Sequence, residues 1–195
     1  MCSNNIFVTH AKSTRINKAL AVYGNRMKLT FNDLTVNFSH LKLETILSDW
    51  VWLIGKNKLP ILITAFGEPF VQDRKSGSVY FLSVADADLT KVADSPEEFK
   101  EKLNDDEFTK EYFPTQAVGD LKESGSVLNA GQVYSYKVPP MLGGEFVPEN
   151  IEPCDISVHF SILGQIHEQV KDLPEGAEIG EIKLKSSKPW WKFWG

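Results

Sequence analysis

Apolar residues change their spacing several times along this chain, and each change marks an element. From His40 to Ile54, Leu43, Ile46, Leu47, Trp50, Val51 and Ile54 recur at the three-and-four spacing of one helical stripe. Ser39 suits a cap and Gly55 a stop. On a continuous helix Trp50 and Trp52 stand about 200° apart, so Trp50 is expected in the core and Trp52 on another face. Four strands are then expected between Pro60 and Ala93. The run PILITAF is apolar on both faces, as in a strand covered on both sides. Arg74–Gly77 and Asp86–Asp88 carry turn residues, and Gly67-Glu68-Pro69 interrupts what would otherwise be one long strand. An antiparallel meander follows from this order.

Ser95-Pro96-Glu97-Glu98 is a helix start: a capping hydroxyl, a proline in the first turn, then acids at the positive end of the dipole. Two more helical pieces are expected, about Asp105 to Tyr112 and Pro114 to Gly125. Val133 to Val138 alternates like a half-exposed strand and stops at Pro139 and Pro140, which cannot donate ladder hydrogen bonds. Gly143-Gly144 allows a tight reversal or a close backbone approach. An acidic loop leads to a second alternating run, with Ile156, Val158, Phe160 and Ile162 on one strand face and Asp155, Ser157, His159 and Ser161 on the other. A helix then places Leu163, Ile166, Val170 and Leu173 on one side, and Gln165, Glu168, Gln169 and Asp172 on the other. Pro174-Glu175-Gly176 reads as a turn, and Ile179, Ile182 and Leu184 as a short last strand. Helix, four strands, helices, then strands and a helix give an α+β class: one mainly antiparallel sheet with helices packed mostly on one side.

Charge divides the chain. Residues 1–26 and 183–195 each hold four basic residues and no acid, leaving 13 basic residues against all 26 acids between them. An acidic body without a local basic patch does not bind nucleic acid directly through phosphates, but it suits a basic protein partner as well as plain solubility. Residues 1–26 read as an N-terminal extension outside the fold, with Met27 the natural start. Residues 27–185 read as a single domain, and 186–195 as a Lys/Trp-rich tail. No apolar run is long enough to span a membrane. Cys2 and Cys154 form neither a disulfide framework nor a zinc pattern, which fits a reducing cytoplasm. The tail Lys188-Pro189-Trp190-Trp191-Lys192-Phe193-Trp194 suits docking on its own domain or a partner, a membrane interface, or stacking on bases.

Little here points to chemistry. His159 and His167 lie near Glu152 and Asp155, and a small metal-dependent or acid/base enzyme would use such groups if they converged. HEQVK lacks the second histidine of a zinc-protease helix, since Lys171 stands in its place. Ser157 and Ser161 lack a nucleophile context, and Gly143-Gly144 is too short for a phosphate loop. Neither a catalytic residue nor a metal or cofactor site is assigned. The carboxylates Glu145, Glu149, Glu152 and Asp155 are the candidate partner-binding residues. The prolines and glycines around them (Pro139, Pro140, Gly143, Gly144), with Asn150, His159, Gln165, His167, Gln169 and Asp172, form a candidate functional loop and helix.

The strings KVPPMLGGEF, VHFS and GQIHEQVKDLP, with Asn150, Glu152 and Asp155 between them, resemble a bacterial domain family. That family includes the C-terminal domain of immunity proteins that neutralise DNase effectors of type VI secretion systems. DWVWLIG, PILITAFGEPFVQD, GSVYFL and KVADSPEEF are similar to its first half. The resemblance covers about residues 28 to 185. It implies a SUKH-like fold and a non-catalytic cytoplasmic binding module whose partner is a basic nuclease toxin. A housekeeping interaction protein with no toxin is the remaining class.

Overall fold

The computed structural model describes residues 8–9, 29–174 and 177–185. The expected extension (Val8 and Thr9 apart), the turn at 175–176 and the Trp-rich tail lie outside the described residues. The order is β1 (Val8–Thr9), α1 (Phe31–Leu34), α2 (Leu43–Ile46), a 3-10 turn (Ser48–Trp50), α3 (Val51–Ile54), β2 (Lys58–Ile63), β3 (Pro69–Asp73), β4 (Val79–Ser83) and β5 (Asp88–Ala93). Then come α4 (Pro96–Lys102), α5 (Asp106–Tyr112), α6 (Thr115–Glu123), β6 (Gln132–Tyr136), two 3-10 turns (Pro140–Leu142 and Pro148–Asn150), β7 (Ile151–Asp155), α7 (Ile156–Val170) and β8 (Glu178–Ile179). This is an α+β fold with mainly antiparallel sheet: β2-β3-β4-β5 form a meander, β6 and β7 pair, and β1 meets β8 at Val8↔Ile179 and Thr9↔Glu178.

The meander buries both of its faces because its strands alternate two kinds of apolar residue rather than apolar with polar. Phe70, Val79 and Phe81 face α4–α6, where Phe99, Phe113 and Val118 close one core. Val71, Leu82 and Ile63 face the other way, against Trp50, Ile54 and α7 through Phe160 and Leu163. The helices therefore cover both sides of the sheet, a correction to the expectation of helices mostly on one side. The doubly apolar strand PILITAF already carried this signal. Phe70 is the hub of the first core, with ring centroids of Phe99 at 4.8 Å, Phe81 at 5.1 Å and Phe113 at 5.7 Å. Offset and edge-on contacts of this kind add to the area they bury.

Two local expectations change. The stripe from Leu43 to Ile54 is not one helix: the 3-10 turn at Ser48–Trp50 resets its phase, and α2 starts after Lys42, without a side-chain cap, rather than from Ser39. Trp50 and Trp52 consequently stack, with centroids 6.1 Å apart at 22°, although a continuous helix would separate them. Gly55 ends α3 with φ 75°, as its lack of Cβ allows. The second change is larger. Residues 156–162 are the start of α7, and the strand lies one element earlier, over Ile151–Asp155, inside the stretch expected as loop. Both periods fit the sequence. The Asp155 carboxylate decides, accepting hydrogen bonds from the backbone N–H of Ser157 (2.8 Å) and Val158 (3.1 Å). Pro153 is tolerated because β7 is an edge strand.

Candidate functional site

The loop between β6 and β7 is held by backbone hydrogen bonds to one side chain. Asn150 Oδ1 accepts from Val138 N at 2.9 Å, and its Nδ2 donates to the carbonyls of Val138 and Glu145, each at 2.9 Å. The amide thus pairs like a piece of β-strand with the far limb of the loop. Pro139 and Pro140 lead into the first 3-10 turn, which Gly143 closes with φ 84°. Gly144 follows against the opposite limb: a Cβ there would lie 1.7 Å from Val138 O. The Gly-Gly pair therefore meets both expectations, one residue for the reversal and the other for the close approach.

The four carboxylates are all exposed, yet they do different work. Glu145, Glu149 and Glu152 make no ion pair among the described residues, and the Glu149 backbone carbonyl accepts from Lys137 Nζ at 2.8 Å. Asp155 is spent on capping α7. Along α7, Gln165 and Gln169 are structural clamps. Gln165 Oε1 accepts from Lys185 N at 2.7 Å, and Gln169 exchanges two bonds with the backbone of Lys183 at 3.0 and 3.1 Å. Asp172 is exposed beyond the helix end.

The two histidines point to separate partners. His167 Nε2 meets Val84 O at 2.9 Å, beside the Trp50 ring. Trp50 Nε1 in turn donates to Phe160 O at 2.9 Å, and α7 approaches this turn so closely that a Cβ on Gly164 would lie 2.7 Å from Asp49 O. His159 is on the buried side of α7, not on a polar strand face with Asp155. Its Nδ1 lies 2.9 Å from Ser135 Oγ, and its Nε2 sits against Gly67 without a well-formed hydrogen bond. Burial pushes His159 down to about 4. Among the described residues no group of three or more His, Cys, Asp and Glu is placed to hold a metal.

One residue after Gly67 stands a carboxylate that sequence reasoning passed over. Glu68, in the turn between β2 and β3, accepts backbone N–H bonds from Val84 and Ala85, yet burial pushes it up to about 8. Burial first, then the Glu68 and Asp86 carboxylates, hold the Tyr136 phenol above its usual range. A glutamate inside the apolar run PILITAFGEPF was the available signal. A second feature also went unread: α4 and α5 expose Glu97, Glu101, Asp106, Glu107 and Glu111. Away from the loop, a groove of ≈280 Å³ runs between α1 and residues 127–130, walled by the Asp33–Lys122 ion pair and Tyr134. Lys122 pulls Asp33 down to about 2.

Residues 93–167 match the family model for the C-terminal domain of the type VI secretion immunity protein Tdi1. The resemblance read from the sequence is borne out over that stretch, which spans α4 to α6, the whole acidic loop and α7 as far as His167. No curated protein matches the chain. Among solved structures, the crystal structure of Atu4351 from Agrobacterium tumefaciens is similar, at 17% identity and a TM-score of 0.46, covering 73% of this chain and 74% of that one. Among the described residues no helix is long and apolar enough to cross a membrane.

Proposed function

We propose that this protein is a non-catalytic immunity protein of the type VI secretion kind, which binds a toxin in the cytoplasm and blocks it. The toxin is a nuclease whose cleft is basic because it is built for phosphates. The surface that meets it carries Glu145, Glu149 and Glu152. The observation that carries this reading is the family match over 93–167, which contains the whole Asn150-clamped loop. A surface already held in place loses little conformational entropy on binding, and unpaired carboxylates steer a basic partner toward it. The alternative, an enzyme using His159, His167 and the acids, draws less support. One histidine packs on Gly67, the other on Val84, and the carboxylates face solvent.

The test is titration of purified protein against the candidate toxin at several salt concentrations. Glu145→Gln, Glu149→Gln and Glu152→Gln together should slow association by about tenfold at low salt and flatten its salt dependence, because steering acts mainly on the on-rate. Asp155 stays intact in this variant, since loss of a cap costs about 1 kcal/mol and would confound the readout. Association by the triple variant as fast as the parent's would exclude this surface.

A further inference from the structure

The aromatic tail is the feature that the proposed toxin surface leaves unused, and the chain leading into it has a fixed direction. Lys183 is bonded to Gln169 and Lys185 to Gln165, so the backbone runs antiparallel to α7, toward the helix start. Two residues advance by one helical turn. An extended chain gains ~3.3 Å per residue and a helix ~1.5 Å, so the two rates agree. On this side of α7 the next positions are Ser161 and Ile162, then Ser157 and Val158. Ile162 is half-buried, and Val158 is 41% exposed in the first turn of a helix whose other aliphatic side chains are buried or half-buried. From Gln165 to Val158 is ~10 Å along the axis, within the ~16 Å that the five steps from Lys185 to Trp190 can cover at full extension. Asp155, the cap at the helix start, is exposed, as is Glu152 three residues earlier in β7.

Residues 186–195 hold Trp190, Trp191, Phe193 and Trp194 with Lys188 and Lys192 and no acid. We infer that this segment docks on its own domain as a strap along α7, laying Trp190 and Trp191 on the Val158–Ile162 stripe and its lysines near Asp155 and Glu152. Three features of the molecule converge on this occupant. The hydrogen-bonded direction of 183–185 leads to the stripe, the length of the segment reaches it, and the charges are complementary. A docked strap covers one edge of the acidic surface, so it would compete with a basic partner there. That consequence rests on the proposed immunity role, whereas the docking does not.

The experiment uses the purified full chain alone, labelled with 5-fluorotryptophan and followed by ¹⁹F NMR. The sequence has five tryptophans, and a chain ending at Lys185 identifies the tail resonances by their loss. The tail resonances of Trp190 and Trp191 are expected away from the position of the free amino acid at every protein concentration. They should move onto it in Val158→Lys, while Trp50 and Trp52 keep their positions as the fold control. Lys188→Glu with Lys192→Glu, which leaves the folded body untouched, should move them the same way. Tail resonances at the free position in the parent overturn the strap, as do shifted resonances that neither variant moves. Shifts that appear only as protein concentration rises would assign the tail to a second copy, and shifts that need anionic phospholipid vesicles would assign it to a membrane surface. Either result also overturns the strap.

Discussion

Two acidic surfaces lie within the stretch 93–167, and they are built on different plans. On α4 and α5 the acids sit on helices, where Glu98 pairs with Lys102 at 3.0 Å and Glu107 with Lys110 at 2.8 Å, while Glu97, Glu101, Asp106 and Glu111 make no ion pair among the described residues. In the β6–β7 loop, Glu145, Glu149 and Glu152 have no ion pair among the described residues, and the frame under them is the Asn150 amide and the Gly144 contact. The number of acids favours the helices, while the loop carries its carboxylates on a frame with its own hydrogen bonds. An acid already paired along a helix offers a partner little, because solvent and its lysine have taken up its field.

The contrast is broken most severely at Gly144. Gly144→Ala forces a Cβ onto Val138 O, so the limbs of the loop must separate. Stability should fall by about 3 kcal/mol or more, read by urea denaturation. Asn150→Ala should cost about 2–3 kcal/mol in the same measurement, since it strands Val138 N–H and the carbonyls of Val138 and Glu145. Both variants should also weaken toxin binding without touching a carboxylate.

The buried carboxylate of Glu68 belongs to neither surface and reports on pH. Its ordinary value is 4.5 and its folded one about 8, so between these pH values the folded chain keeps a proton that the unfolded chain releases. Its contribution to stability therefore falls as pH rises through that window. His159 acts in the opposite sense, from 6.5 down to about 4: the unfolded chain binds the proton, and stability falls as pH drops. The two slopes oppose each other between about 4.5 and 6.5, leaving a loss from about 6.5 to 8 that belongs to Glu68. Urea unfolding at both ends of that range should show this loss in the parent and most of it removed in Glu68→Gln.

The smallest effect is expected on the helical surface. Changing Glu97, Glu101, Asp106 and Glu111 to their amides should alter stability by less than about 0.5 kcal/mol per site and leave toxin association within about twofold of the parent. A slowing as large as that of the loop variant would move the proposed interface to α4 and α5.

The sequence by itself determined what depends on local chemistry. The meander from β2 to β5, the Ser95 cap, α5, α6 and the stops at Gly55 and Pro139 follow from turn residues, caps and short-range periodicity, which act within a few positions. The need for Gly143 and Gly144 was legible for the same reason, and the motif around them carried the family resemblance. Tertiary structure decided what local signals left equal. Residues 156–162 satisfy a strand period and a helix period alike, and the choice came from Asp155 capping the helix while Trp50, Gly164 and His167 lock it onto the sheet. Trp50 and Trp52 stack only because a 3-10 turn falls between two short helices. The roles of Asn150, Gln165 and Gln169 as backbone clamps depend on partners 12 to 20 residues away. Glu68 and His159 owe their shifted protonation to burial, which is a property of the assembled core and not of any stretch of chain.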